Sequence, residues 1–88
     1  MHKQAVRVTN TGAEPMEVWI EPWGDLREVP KGHAVVVRFE SLVDMPVDLE
    51  FPRERVAVVC APNQSTFTAE IEQSSTFDFN ADAIASVA

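Results

Sequence analysis

Apolar and polar side chains alternate along most of this chain, and a period of two puts every second residue on the same face of a strand. Met16, Val18 and Ile20 alternate with Glu17, Trp19 and Glu21; Val35, Val37 and Phe39 alternate with Val36, Arg38 and Glu40. Val47, Leu49 and Phe51 alternate with Asp48, Glu50 and Pro52, and Phe67, Ala69 and Ile71 with Thr66, Thr68, Glu70 and Glu72. Val6 and Val8 open the series; Phe77 and Phe79 close it. Only 55–61 is apolar at successive positions, which predicts a central strand covered on both sides. Turn-forming groups separate the segments: Asn10-Thr11-Gly12, Pro22-Trp23-Gly24-Asp25, Pro30-Lys31-Gly32, Asp44-Met45-Pro46, Pro52-Arg53 and Ala61-Pro62-Asn63.

Short strands joined by such turns predict an all-β fold, a single antiparallel β-sandwich of about seven strands. The expected core is Val6, Val8, Val18, Ile20, Val35, Val37, Phe39, Leu49, Phe51, Val58, Phe67 and Ile71. The sandwich domain is expected over 1–79. The alanine-rich stretch 80–88 predicts either a short helical turn, with Asn80 or Asp82 as N-cap, or a C-terminal tail.

A chain of 88 residues supports one core. Its single cysteine excludes an intramolecular disulfide framework. Met1 to Arg7 contains no apolar leader and no apolar run has the length of a membrane span, so the expectation is a cytoplasmic protein with no membrane partner. The chain is acidic, with net charge −7, and its only local basic pair is Arg53 and Arg55. Phosphate backbones require clustered cations, so nucleic acid is excluded as a partner.

Candidate chemistry is sparse. His2, His33, Cys60 and the methionines contain the residue types of a blue-copper site, but neither His nor Met follows Cys60. Asp78, Asn80 and Asp82 copy the first three ligand spacings of a calcium loop, yet Ala83 stands where its sharp turn needs glycine. No metal and no cofactor is therefore expected. Cys60 lies in the apolar run Val58-Val59-Cys60-Ala61, which predicts a buried, unreactive thiol rather than a nucleophile. The pairs Asp48 with Glu50 and Glu70 with Glu72 read as solvated strand faces, and no catalytic residue is assigned.

The most distinctive stretch is Val18-Trp19-Ile20-Glu21-Pro22-Trp23-Gly24-Asp25. Trp19, Glu21, Trp23 and Asp25 are the candidate binding residues, an aromatic and acidic combination suited to contact with another protein. The competing reading is that one tryptophan plugs the end of the sandwich.

Val8-Thr9-Asn10, Val18-Trp19-Ile20, Gly24, and Val29-Pro30-Lys31-Gly32 followed by Val35-Val36-Val37 together resemble the opening hairpins of prealbumin-like sandwiches, of which the von Hippel–Lindau β-domain is an example. The likeness covers the first 40 or so residues. It implies a sandwich and peptide recognition, and carries no binding residue over to this chain.

The sequence thus predicts a non-enzymatic module that binds a protein partner or self-associates as a homodimer, through an edge strand at 35–41 or the surface around Trp19 and Trp23. The alternatives are a small-molecule or metal-binding sandwich using His33 and Glu28, or an accessory subunit of a larger assembly.

Overall fold

The structure, a computed structural model, describes residues 1–75 and the backbone of 86–87. The alternating segments become β1 (His2–Thr9), β2 (Met16–Glu21), β3 (Asp25–Val29), β4 (His33–Ser41), β5 (Asp48–Arg53), β6 (Val56–Cys60) and β7 (Phe67–Ser75), with a two-residue β8 (Ser86–Val87). They form two sheets, ordered β7-β4-β1-β8 (sheet A) and β3-β2-β6-β5 (sheet B). The all-β sandwich is the fold the alternation predicts. The helical turn or tail and the boundary at residue 79 lie outside the described residues, except that Ser86 and Val87 pair in parallel with Arg7 and Val8.

Neighbours along the chain do not simply pair as hairpins. The chain runs from sheet B to sheet A through Pro30–Gly32, returns through Leu42–Val47, and crosses again through Ala61–Thr66. After the excursion through β4 in sheet A and the return along β5, β6 meets β2 in parallel, with Trp19 opposite Val58 and Glu21 opposite Cys60. Every other pairing among β1 to β7 is antiparallel.

Residue parity sets the core. Val8, Val18, Ile20, Val35, Val37, Phe39 and Phe67 are buried as expected, with Val6, Leu49 and Ile71 packed against them. Two expected core residues are corrected. Val59, not Val58, enters the core beside Ala57 and Ala61, since a strand read one residue out exchanges its faces. Phe51 is 49% exposed, because β5 is an edge strand whose register shifts between Glu50 and Arg53. The expected edge strand at 35–41 is also corrected: β4 bonds to β1 on one side and β7 on the other. That central position explains why Val36 and Ala34 are buried on the outer side of sheet A.

Polar side chains tie the loops together. The buried Asn10 donates from Nδ2 to the carbonyls of Glu14 (2.8 Å) and Val29 (2.9 Å). Its Oδ1 accepts from the Gly12 amide (3.0 Å) and from Arg55 Nη2 (2.7 Å). Gln4 holds the β4–β5 crossing against β1, donating to the Met45 carbonyl and accepting from the Val47 amide. At the far edge, Gln73 Nε2 donates to the Glu28 carbonyl at 2.6 Å and joins β7 to β3 across the two sheets.

Candidate functional site

The outer face of sheet B follows from its register, because residues directly opposite one another point the same way. One row across the strands is Leu26, Trp19, Val58 and Glu50; the rows flanking it are Glu28, Glu17, Val56 and Arg53, and Glu21, Cys60 and Asp48. Thus Leu26, Trp19 and Val58 make an apolar band, widened by Val56 on one side and Cys60 on the other. Leu26 is 44% exposed, Trp19, Val58 and Cys60 are half-buried, and Val56 is nearly covered. A depression of about 340 Å³ lies beside the band, lined by Trp19, Glu21, Pro52, Arg53, Val56 and Val58.

This geometry revises the meaning of the apolar run at 55–61. It was expected to be covered on both sides, and its inner residues are: Ala57, Val59 and Ala61 lie in the core. Its outer residues have no third layer over them among the described residues. The second apolar face of β6 therefore supplies the centre of a surface.

The electrostatics are one-sided. Glu17, Glu21, Glu28, Asp48 and Glu50 surround the band, and Arg53 is the single basic residue in these rows. None of the five carboxylates joins an ion pair among the described residues, although Glu17 accepts the Trp19 indole N–H at 3.2 Å. Cys60 reports their field. Partial burial and then the negative charges of Glu50, Asp48 and Glu21 push its thiol above the ordinary value of 9.0. The expectation of a buried Cys60 is corrected to a half-buried thiol on this outer face, again by the parity of β6.

The four candidate residues separate into two pairs. Trp19 and Glu21 belong to the outer face of sheet B. Trp23, at the β2–β3 turn, stacks on the core residue Phe39 with ring centroids 6.2 Å apart and an interplanar angle of 26°. Asp25 stands opposite Ile20, on the inner side, and pairs with Arg27 at 3.1 Å. Sequence reasoning missed Leu26 and Val58 as surface partners of Trp19; the doubly apolar pattern of 55–61 was the available signal.

Sheet A offers a contrast. A groove of about 650 Å³ runs over its outer face, among Lys3, Ala5, Arg38, Glu40, Thr68 and Glu70. It is larger, but its charges are balanced: Lys3 lies 3.9 Å from Glu40 and Arg38 Nη1 3.0 Å from Glu72. Its flanking apolar residues, Ala34 and Val36, are already buried.

Among the described residues no three His, Cys, Asp or Glu side chains converge as a metal site, and no helix is long and apolar enough to cross a membrane. Asp78, Asn80 and Asp82 lie outside the described residues. No family model matches the chain, and no curated protein or solved structure matches it either. The site is therefore read from its own geometry.

Proposed function

We propose that this chain is a non-enzymatic protein-binding module whose contact surface is the outer face of sheet B, centred on Trp19. The carrying observation is the apolar outer side of β6. In a two-layer sandwich the outward side of a central strand normally meets water and is polar. Here it presents Val58 and Cys60 beside Trp19 and Leu26. A tryptophan flanked by aliphatic residues and ringed by polar ones has the make-up of a binding hot spot. The raised pKa of Cys60 is the opposite of the downward shift of an activated nucleophilic thiol.

The test is comparative capture from the native host. The immobilised protein and a Glu70→Gln/Glu72→Gln variant of sheet A should retain the same partner, while Trp19→Ala and the milder Leu26→Ser should lose it. An unchanged set of bound proteins on both sheet B variants, with the fold intact by circular dichroism, overturns the reading.

Self-association is a second reading, supported by β7. This strand is nine residues long, free of proline, and pairs with β4 without a bulge. Among the described residues it is the end strand of sheet A, and an end strand can recruit another strand. Antiparallel self-pairing about Glu70 or Ile71 would set glutamates opposite one another, which opposes the dimer. Light scattering that shows a dimer at low salt would favour this reading over the first.

A further inference from the structure

The charge around the Trp19 band says what kind of partner suits it. Each outer sheet face carries a definable set of charges. On sheet A, Lys3, Arg7 and Arg38 balance Glu40, Glu70 and Glu72. On sheet B, Glu17, Glu21, Glu28, Asp48 and Glu50 stand against Arg53 alone. The net charge of −7 is thus unevenly spread, with a concentration around the half-buried apolar band.

The arrangement has dimensions. Leu26, Trp19 and Val58 lie on three adjacent strands, so the band spans about 10 Å at roughly 4.8 Å per strand. The carboxylate rows lie two residues along the strands on either side, about 7 Å away. Glu50 closes the end beside Val58. Two adjacent apolar side chains of a partner cover such a band, and lysine or arginine side chains next to them reach the carboxylates. A second copy of the same face would instead set these carboxylates against each other.

We infer, on the reading of this face as a binding surface, that its occupant is a cationic protein segment: an apolar anchor of one or two side chains seated on Trp19 and Val58, flanked by lysine or arginine opposite Glu17, Glu21, Asp48 and Glu50. The apolar anchor supplies most of the affinity, and the charges supply selection and speed of encounter. Segments of the same apolar content flanked by acidic residues are rejected.

Three fluorescein-labelled peptides test this by anisotropy with the full chain: Lys-Lys-Leu-Leu-Lys-Lys, Ser-Ser-Leu-Leu-Ser-Ser and Glu-Glu-Leu-Leu-Glu-Glu. The cationic peptide should bind best, and its affinity should fall as salt screens the charges. Neutralising two rim charges in Glu21→Gln/Glu50→Gln should weaken it about fivefold. Trp19→Ala should weaken it about thirtyfold, and Leu26→Ser, at an exposed position, should weaken it without disturbing the fold. Glu70→Gln/Glu72→Gln on sheet A should leave it unchanged. If the serine or glutamate peptide binds as tightly as the lysine peptide, yet Trp19→Ala and Leu26→Ser weaken it, the face binds partners but the cationic assignment is overturned. If the lysine peptide is indifferent to Trp19→Ala and Leu26→Ser, or equally sensitive to the sheet A variant, the face itself is not the binding surface. Concentration-dependent dimerisation lost in Leu26→Ser would make a second copy the occupant and overturn the inference.

Discussion

Arg55 Nη2 donates to Asn10 Oδ1 at 2.7 Å across 45 residues of sequence, joining the β5–β6 turn to the β1–β2 loop. The same guanidinium donates to the Glu14 carbonyl and, at 3.3 Å from Nε, to the Pro15 carbonyl. Arg55 itself adopts φ 65°, a left-handed conformation that a non-glycine residue keeps only when its surroundings hold it. Asn10 is 1% exposed, so its amide is the buried centre of the junction.

Replacing Asn10 with Ala should therefore cost more than an ordinary polar substitution. It takes the side-chain partner from the Val29 carbonyl and the Gly12 amide, while the Glu14 carbonyl and Arg55 Nη2 keep only each other. The expected loss is about 1–3 kcal/mol, read as a lower urea midpoint with an unchanged m-value. A loss below the error of the measurement would show that water replaces the side chain.

Gly12 gives a sharper test of the same junction. A Cβ added there would overlap Arg55 Nη1 and sit 3.1 Å from Cζ. A free arginine tip would swing aside, but this one is fixed by Asn10 and the Glu14 and Pro15 carbonyls. Gly12→Ala should destabilise the protein, and in an Arg55→Ala background the same change should have almost no further effect. Additive losses in the denaturation cycle would place the strain elsewhere.

Trp23 is 36% exposed, yet its stack on Phe39 should make it contribute to the end of the core. Trp23→Ala removes its stack on Phe39 and should lower stability by about 1–2 kcal/mol, whereas Trp23→Phe keeps a ring there and should restore most of it. Equal denaturation midpoints for the two variants would contradict the stacking role.

Cys60 should label slowly at neutral pH. The thiolate is the reactive form, and burial together with Glu50, Asp48 and Glu21 holds the proton on. Labelling should accelerate as the pH passes 9.0, the ordinary thiol value, and Glu50→Gln/Asp48→Asn should accelerate it at lower pH. The folded-state pKa lies above the unfolded one, so the thiol's contribution to stability is complete below the unfolded pKa and is lost as pH rises through the folded value. A Cys60→Ala variant should lack that part of the alkaline decline.

The strands were legible because alternation is a local property: Met16 to Ile20 and Val35 to Phe39 name their inner faces without any partner. The sheet order was not, because pairing β2 with β6 depends on two crossings between layers that leave no local mark. Parity failed where alternation is absent, and that is why Val58 and Cys60 were assigned inward. Phe51 failed for another reason: a bulge in β5 alters the facing of residues beyond it. Of the candidate site, Trp19 and Glu21 could be placed from β2 alone. The neighbours that give Trp19 its setting come from β3 and β6, distant or turned back in the chain.

The Gln73 bridge has a consequence for the exposed margin of sheet B. Glu17 gives its amide to the Arg55 carbonyl, so it does not exchange bonds with Glu28, and the Glu28 carbonyl points out from the sheet toward Gln73. An incoming strand at β3 therefore finds an acceptor already in use. To bond at Glu28 it must displace an amide tethered to the opposite sheet, so at that position addition is an exchange with a built-in competitor. Gln73→Ala removes the competitor and leaves the Glu28 carbonyl open to an incoming strand.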